Sequence, residues 1–272
     1  MTTGKPFFLK QEFKPKHDEN LMKNEGDTVK AREYFYQKKS HNLFMLLENR
    51  YKWMNKYIPE NAYGIEVGSG TGISKEFIAT KNYNTTDFAE NPWLDHKNID
   101  ALNTGFADNE FDFVISSNMI HHVPYPKVFF DEMARVLKKD GVLIIQEINA
   151  SFFMRLLLKL MRHEGYSYDV DVFDKNQICT DENDLWSANC AIPNLLFDNR
   201  KKFSTEIESF TMRHSSFDEF FCFLNSGGVI AKTVYIPLPR LIIRILQQMD
   251  RILAGIFPSV FALQRRIVLQ KN

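Results

Sequence analysis

The sequence predicts an α/β fold, an open and mostly parallel sheet flanked by helices. Three observations predict it. A β-type run, Tyr63 to Val67, ends in glycines at alternate positions, Gly68, Gly70 and Gly72, and feeds a helix-like segment, Ile73 to Thr80. Between residues 62 and 148 short apolar runs alternate with helical segments, the pattern of parallel strands joined by right-handed crossovers. The chain has 272 residues and is 44% hydrophobic, enough for one sizeable core with insertions.

The elements follow in order. Residues 1–60 read as an N-terminal helical extension or lid. Its first 40 residues are polar, charged and only partly helical. Residues 41–58 form an amphipathic helix with Leu43, Leu46, Leu47, Met54 and Ile58 near one face, and Pro59 ends it. Residues 61–150 are the α/β core. There the glycines let the backbone approach a ligand with φ > 0, and the helix start adds free N–H groups and partial positive charge, a device for binding a nucleotide. The spacing is not the dinucleotide fingerprint, whose third glycine would fall on Ile73. Asn82 to Asp87 is a second strand, and a carboxylate at its end can accept from both ribose hydroxyls. Phe111 to Ser117 is an apolar strand whose carboxyl end opens on the site. Pro126 to Lys138 is a helix burying Val128, Phe129, Met133, Val136 and Leu137.

Residues 151–202 are an insertion. Ser151 is placed to cap a helix that Gly165 closes. The following stretch carries Asp169, Asp171, Asp174, Asp181, Glu182 and Asp184 without the calcium-loop pattern, so no metal is expected there. Tyr166, Tyr168 and Trp186 suit an acceptor-binding role better. Residues 203–272 hold two closing strands around a helical insertion at 236–260. In it Ile242, Ile245, Leu246, Met249, Ile252, Leu253, Ile256 and Phe257 keep helical spacing until Pro258. From Ile236 to Asn272 six cations face one anion, Asp250, a net of +5. Such a helix can cap an acceptor pocket, pack in a homodimer or lie peripherally on a membrane, and the residues leave all three open.

Several motifs carry a family resemblance over roughly residues 60–150. Glu66 with Gly68, Gly70 and Gly72 reads E-x-G-x-G-x-G and resembles motif I of class I S-adenosyl-L-methionine (SAM) dependent methyltransferases. Phe106 to Val114 resembles the F-x-D-x-x-F-D-x-V passage of the small-molecule group that includes the ubiquinone and menaquinone methylating enzymes. Met119 to Val123 resembles their L-H-H, and Arg135 to Leu143 their R-V-L-K-P-G-G-x-L, with Lys139 and Asp140 in place of proline and glycine. The resemblance implies a Rossmann-like, seven-stranded, mostly parallel sheet with an antiparallel last strand and helices on both faces. Phe203 to Arg213 resembles its sixth strand and Arg265 to Lys271 its closing strand. It also implies SAM as cofactor. Glu66, Gly68, Ser69, Gly70 and Gly72 would meet the methionine end and Asp87 the ribose. Phe88 would stack on adenine, Asp100 and Ala101 would read the adenine edge, and Ser117 and Asn118 would lie near the sulfonium. His121 and His122 follow the fourth strand, and one of them, His122 for preference, is the candidate base or acceptor-orienting group, with Tyr125 second in rank.

The expected activity is methyl transfer to a small-molecule acceptor, at oxygen, with glycan or lipid-linked substrates in view. The rivals are a catalytically silent SAM-binding scaffold and an NAD-dependent oxidoreductase. Lys+Arg and Asp+Glu balance at 34 each, which argues against nucleic acid, and Ser116 to Met119 stands where a nucleic-acid enzyme would carry N/D-P-P-Y. Cys179, Cys190 and Cys222 form no C-x-x-C pair, no signal-peptide run opens the chain, and no long uncharged apolar stretch occurs. A cytoplasmic protein is the expectation.

Overall fold

In the computed structural model, residues 11–15, 27–38, 40–228 and 232–272 are described. Much of the polar N-terminal stretch expected to be irregular therefore lies outside the described residues. Six strands form the main sheet: β2 (Gly64–Val67), β3 (Tyr83–Thr86), β4 (Phe111–Ser117), β5 (Leu137–Ile148), β7 (Phe210–Asp218) and β8 (Gln264–Lys271), in the order β3-β2-β4-β5-β8-β7. β3, β2, β4 and β5 run parallel, and β8 inserts antiparallel between β5 and β7. Two short strands, β1 (Glu12–Phe13) and β6 (Tyr166–Ser167), pair separately.

Alternating side chains divide the core. Ile65, Val67, Val114, Leu143, Ile145, Ile267 and Leu269 face α3 (Pro126–Val136), α5 (Ile192–Phe197) and α6 (Arg200–Glu206), meeting Phe129, Met133, Leu196 and Phe203. Phe113, Ile115, Ile144 and Val268 point the other way, onto Met54 in the 3-10 turn Lys52–Lys56. That turn continues α2 (His41–Tyr51), whose Leu43, Leu46 and Leu47 pack with Ile73, Phe77 and Ile243. α1 (Thr28–Lys38) precedes it.

The structure corrects several expectations. Among the described residues the sheet has six strands, not seven. The missing edge strand is reduced to a parallel bridge between Thr86 and His96, and Asp100 lies in a turn bridged to Asn103. The helix expected over 73–80 is a single 3-10 turn, Ile73–Glu76. Asn55 explains the stop: its side chain donates to Phe77 O and accepts from Ala79 N, satisfying backbone groups that a longer helix would pair. Phe203 belongs to α6, and the strand begins only at Phe210. α4 (Phe152–Met161) starts at the Ser151 cap as expected but is closed by Arg162 at φ 51°, not by Gly165. Gly165 serves a close approach instead, since a Cβ there would sit 2.5 Å from Phe13 O.

α7 (Phe221–Leu224) and α8 (Arg240–Ile256) close the fold. α8 turns Gln247 and Asp250 inward. Its buried side is Ile243, Gln247, Asp250 and Ala254, and Asp250 accepts from Phe221 N and Cys222 N at 2.8 and 3.1 Å. Its apolar stripe faces outward, with Leu241 69% and Ile256 64% exposed and Ile245, Met249 and Ile252 between them. Cys179, Cys190 and Cys222 are buried and unbonded to one another, and burial pushes all three thiols up, Cys179 to about 11.

Candidate functional site

The glycine loop is shaped by backbone geometry and sewn to β3. Gly68 has φ 68°, and a Cβ there would lie 2.2 Å from Met119 Cγ, so only glycine fits. Ser69 N donates to Thr86 O at 2.9 Å, and Ser69 Oγ donates to Glu66 O at 3.0 Å. Gly70 N donates to Asp87 Oδ2 at 2.7 Å, while Ala89 N donates to Asp87 Oδ1 at 2.9 Å. Asp87 is thereby fixed beside the loop at the end of β3.

A cavity of about 650 Å³ opens over these strand ends. Gly68, Ser69, Gly70, Asp87, Phe88, Asp100, Ala101, Ser117 and Asn118 line it, and so do His121, His122 and Tyr125. Two expected residues do not reach the wall. Gly72 turns behind it against Trp93. Glu66 is buried beneath the loop, accepts from Ser74 Oγ, and is pushed by burial from its ordinary value to about 7.

The far end of the cavity is built from side chains of distant segments. His121 is buried, and its Nδ1 lies 2.8 and 2.9 Å from the two oxygens of Glu147, a fully buried carboxylate on β5. Its Nε2 faces Glu164 Oε2 at 3.7 Å. Burial alone would lower the His121 imidazole, but the Glu147 carboxylate, with Glu164 behind it, holds it up at about 10. His122 donates from Nδ1 to Ser187 O at 3.0 Å and turns Nε2 toward Glu164 Oε1 at 3.8 Å. Burial, with the charge of His121 beside it, pushes His122 down to about 4. Burial opposes the charge on Glu164, yet His121 and its histidine neighbours hold that carboxyl well below the usual range.

Sequence reasoning missed Glu164 and His163, which sit just past α4. It also missed the α4 wall of Met154, Leu157, Leu158 and Met161 that lines the cavity. The visible signal was the 3–4 spacing of that helix, and it could not show which side faces a cavity. Tyr125 donates to Glu182 Oε2 at 2.7 Å at the rim. The acidic run is not a cage. Asp171, Asp174, Asp181 and Asp184 each accept the backbone N–H two residues on, successive turns rather than a converging ligand set.

A strand-end cavity over a left-handed glycine loop with a carboxylate at the next strand defines a nucleoside-cofactor protein of the doubly wound class. Comparison narrows this. Residues 62–145 match the family described as methyltransferase domain. The fold is similar to that of a SAM dependent methyltransferase from Archaeoglobus fulgidus, with TM-score 0.51 and 15% identity over 88% of this chain and 99% of that one. A phosphatidylethanolamine N-methyltransferase from Cereibacter sphaeroides is 29% identical over 97 residues, which are 30% of this chain and 48% of that protein, so the chain spans about half the length of that relative. Residues 62–145 thus match a methyltransferase domain, set in a fold that is shared with a SAM dependent methyltransferase. Among the described residues no helix is long and apolar enough to cross a membrane.

Proposed function

We propose that this chain transfers the methyl group of SAM to a small-molecule acceptor, at oxygen, and that the acceptor is presented from a lipid surface. The observation that carries the reading is one continuous cavity from the glycine loop to His121, His122 and Glu164. SAM supplies an activated methyl group on a sulfonium. Gly68, Ser69 and Gly70 would hold its methionine end, with Gly72 and Glu66 supporting the loop from behind. Asp87 would hold the ribose, Phe88, Asp100 and Ala101 the adenine, and Ser117 and Asn118 would border the sulfonium.

At the other end, Met154, Leu157, Leu158 and Met161 with Trp186 offer an apolar bed that keeps water from an acceptor. Holding two reactants in line supplies on the order of 7–11 kcal/mol of a barrier. His122 spends its Nδ1 proton on Ser187, so Nε2 carries the lone pair that orients an acceptor hydroxyl or takes its proton. His121, held between two carboxylates, is a positioning residue in this scheme.

Nitrogen is the second reading. Glu164, Asp181, Glu182 and Asp184 border the acceptor end with Trp186, a lining suited to an amine, and the Cereibacter relative is named for N-methylation of a lipid headgroup. The lipid surface is supported by α8. Its outward stripe is apolar, and Arg240, Arg244 and Arg251, all exposed, are spaced to share one flank, where they complement anionic headgroups. The stripe runs on to α4, because Phe152 N and Phe153 N donate to Ser259 O and Val260 O just past α8, and Phe152, Ile256 and Phe257 are all exposed there.

The test starts with calorimetric titration of SAM, S-adenosylhomocysteine and NADH into wild type and Asp87→Ala. Methyl-labelled SAM is then supplied with vesicles containing phosphatidylethanolamine or a lipid bearing free hydroxyls, and the methylated atom is identified. SAM binding with label in the lipid supports the proposal, and the atom decides between oxygen and nitrogen. Tight SAM binding without transfer to any acceptor reassigns the chain as a SAM-binding scaffold. No SAM binding overturns the reading.

A further inference from the structure

The histidines and carboxylates at the acceptor end are arranged more tightly than the orientation of one proton needs. Three segments bring them together: the turn after β4 (His121, His122), the end of β5 (Glu147) and the loop after α4 (His163, Glu164). Each imidazole of the adjacent pair is oriented by an acceptor on Nδ1. For His121 this is the Glu147 carboxylate at 2.8 Å, and for His122 the Ser187 carbonyl at 3.0 Å. Those oxygens only accept, so each Nδ1 carries its hydrogen, and in the neutral rings both Nε2 lone pairs face the same carboxylate, Glu164.

The gaps there, 3.7 Å from His121 and 3.8 Å from His122, are too long for hydrogen bonds. All three ligand atoms lie within 4.8 Å of one another. In a tetrahedral zinc site, ligand atoms about 2.0–2.1 Å from the ion stand roughly 3.3 Å apart, so no pair would have to close by more than about 1.5 Å. His163 Nε2 lies a further 3.5 Å from Glu164 Oε1, and its buried Nδ1 has no hydrogen-bond partner. An imidazole whose far N–H is held by a carboxylate or carbonyl is the usual outer support of a metal ligand.

We infer that His121, His122 and Glu164 form a binding site for a divalent transition metal of the zinc type, with Glu147 as the carboxylate that positions His121. Two imidazoles and one carboxylate suit zinc, whereas magnesium and calcium favour all-oxygen shells. Three protein ligands leave a fourth position, and the three side chains line the cavity, so that position opens toward the acceptor end. If the proposed methyl transfer holds, an acceptor heteroatom would take it, and orientation by His122 would act through the ion. Metal binding itself does not rest on that reading and is measurable without SAM or acceptor.

The experiment strips the full chain with a chelator and titrates it with Zn²⁺ in excess Mg²⁺, by calorimetry and elemental analysis. Co²⁺ is added separately as a spectroscopic probe. The expected result is one zinc per chain, with four-coordinate visible bands from cobalt. Glu164→Gln and His122→Ala should each lose about 100-fold or more in zinc affinity, and Glu147→Gln about 10–100-fold. SAM titration and thermal melting of each variant verify that it folds. Zinc uptake unchanged in folded Glu164→Gln, or none in wild type, overturns the site and leaves a proton-held cluster. Since SAM binding is read separately, failure of the metal site and failure of the methyltransferase reading are distinguishable.

Discussion

At the proposed cofactor end of the cavity, Ser69, Asp87 and Asn118 leave the carboxyl ends of three neighbouring parallel strands, and the left-handed backbone of Gly68 and Gly70 sets the shape. At the proposed acceptor end, His121, Glu164 and Trp186 come from segments with no common sheet, and side chains define the surface. The first end is a property of the topology, because any chain with this strand order has a crevice there. The second is a property of this chain. Substitutions at the two ends should therefore fail differently, the first in cofactor affinity or fold stability, the second in turnover.

The largest expected effect sharpens the first half of that contrast. Glu66 is held near 7 in the folded protein against an ordinary 4.5, because burial penalises its charge. The native state keeps a proton that the unfolded chain has released, so this contribution to stability is full below the ordinary carboxylate range and is lost as pH rises through about 7. The loss amounts to roughly 3 kcal/mol. Urea denaturation between pH 4 and pH 8 should show wild type losing stability where Glu66→Gln does not, with the variant the more stable at pH 8. Parallel curves would show that the loop rests on something other than this carboxyl.

Asp87→Ala comes next. It removes the acceptor of Gly70 N and Ala89 N as well as the proposed ribose contact, and calorimetry should show SAM affinity falling about 10–100-fold, roughly 1.5–3 kcal/mol. At the opposite end, Leu157→Ala on the α4 wall should lower kcat/KM about tenfold, roughly 1.5 kcal/mol, with SAM affinity unchanged. If SAM affinity falls instead, the two ends are not separable. The smallest effect lies outside the cavity. Ile245→Ser with Ile252→Ser should weaken co-sedimentation with anionic vesicles several-fold and leave turnover on a water-soluble acceptor intact. High salt should weaken wild type further. Concentration-dependent association abolished by the same double variant, without vesicle binding, would make α8 a dimer face.

The same division explains what could be read from residues alone. The glycines, Asp87 and the strand over Phe111 to Ser117 were legible because short-range pattern suffices for them, and the antiparallel closing strand was legible through the family resemblance alone. The helix after the glycine loop was not, because its stop depends on Asn55, a partner more than twenty residues upstream. The edge strand was lost to a bridge at His96 that no alternation in the sequence marks. Glu66 had the right motif position, but burial beneath the loop is set by Ser74 and the sheet around it. Glu164 and His163 could not be paired with His121 from sequence, since forty residues separate them and only the path of α4 unites them. The amphipathic pattern of α8 was plain, yet periodicity cannot say that the apolar side is the outer one.

The buried state of Cys179, Cys190 and Cys222 has a use in the laboratory. Thiol reagents attack the thiolate, and all three groups are held protonated and shielded at neutral pH. The native chain is therefore a silent background for maleimide or nitroxide labelling. A single new thiol at Ile252 would report the depth of α8 in a bilayer, and one at Trp186 would follow arrivals at the acceptor end, with no native cysteine to be removed first.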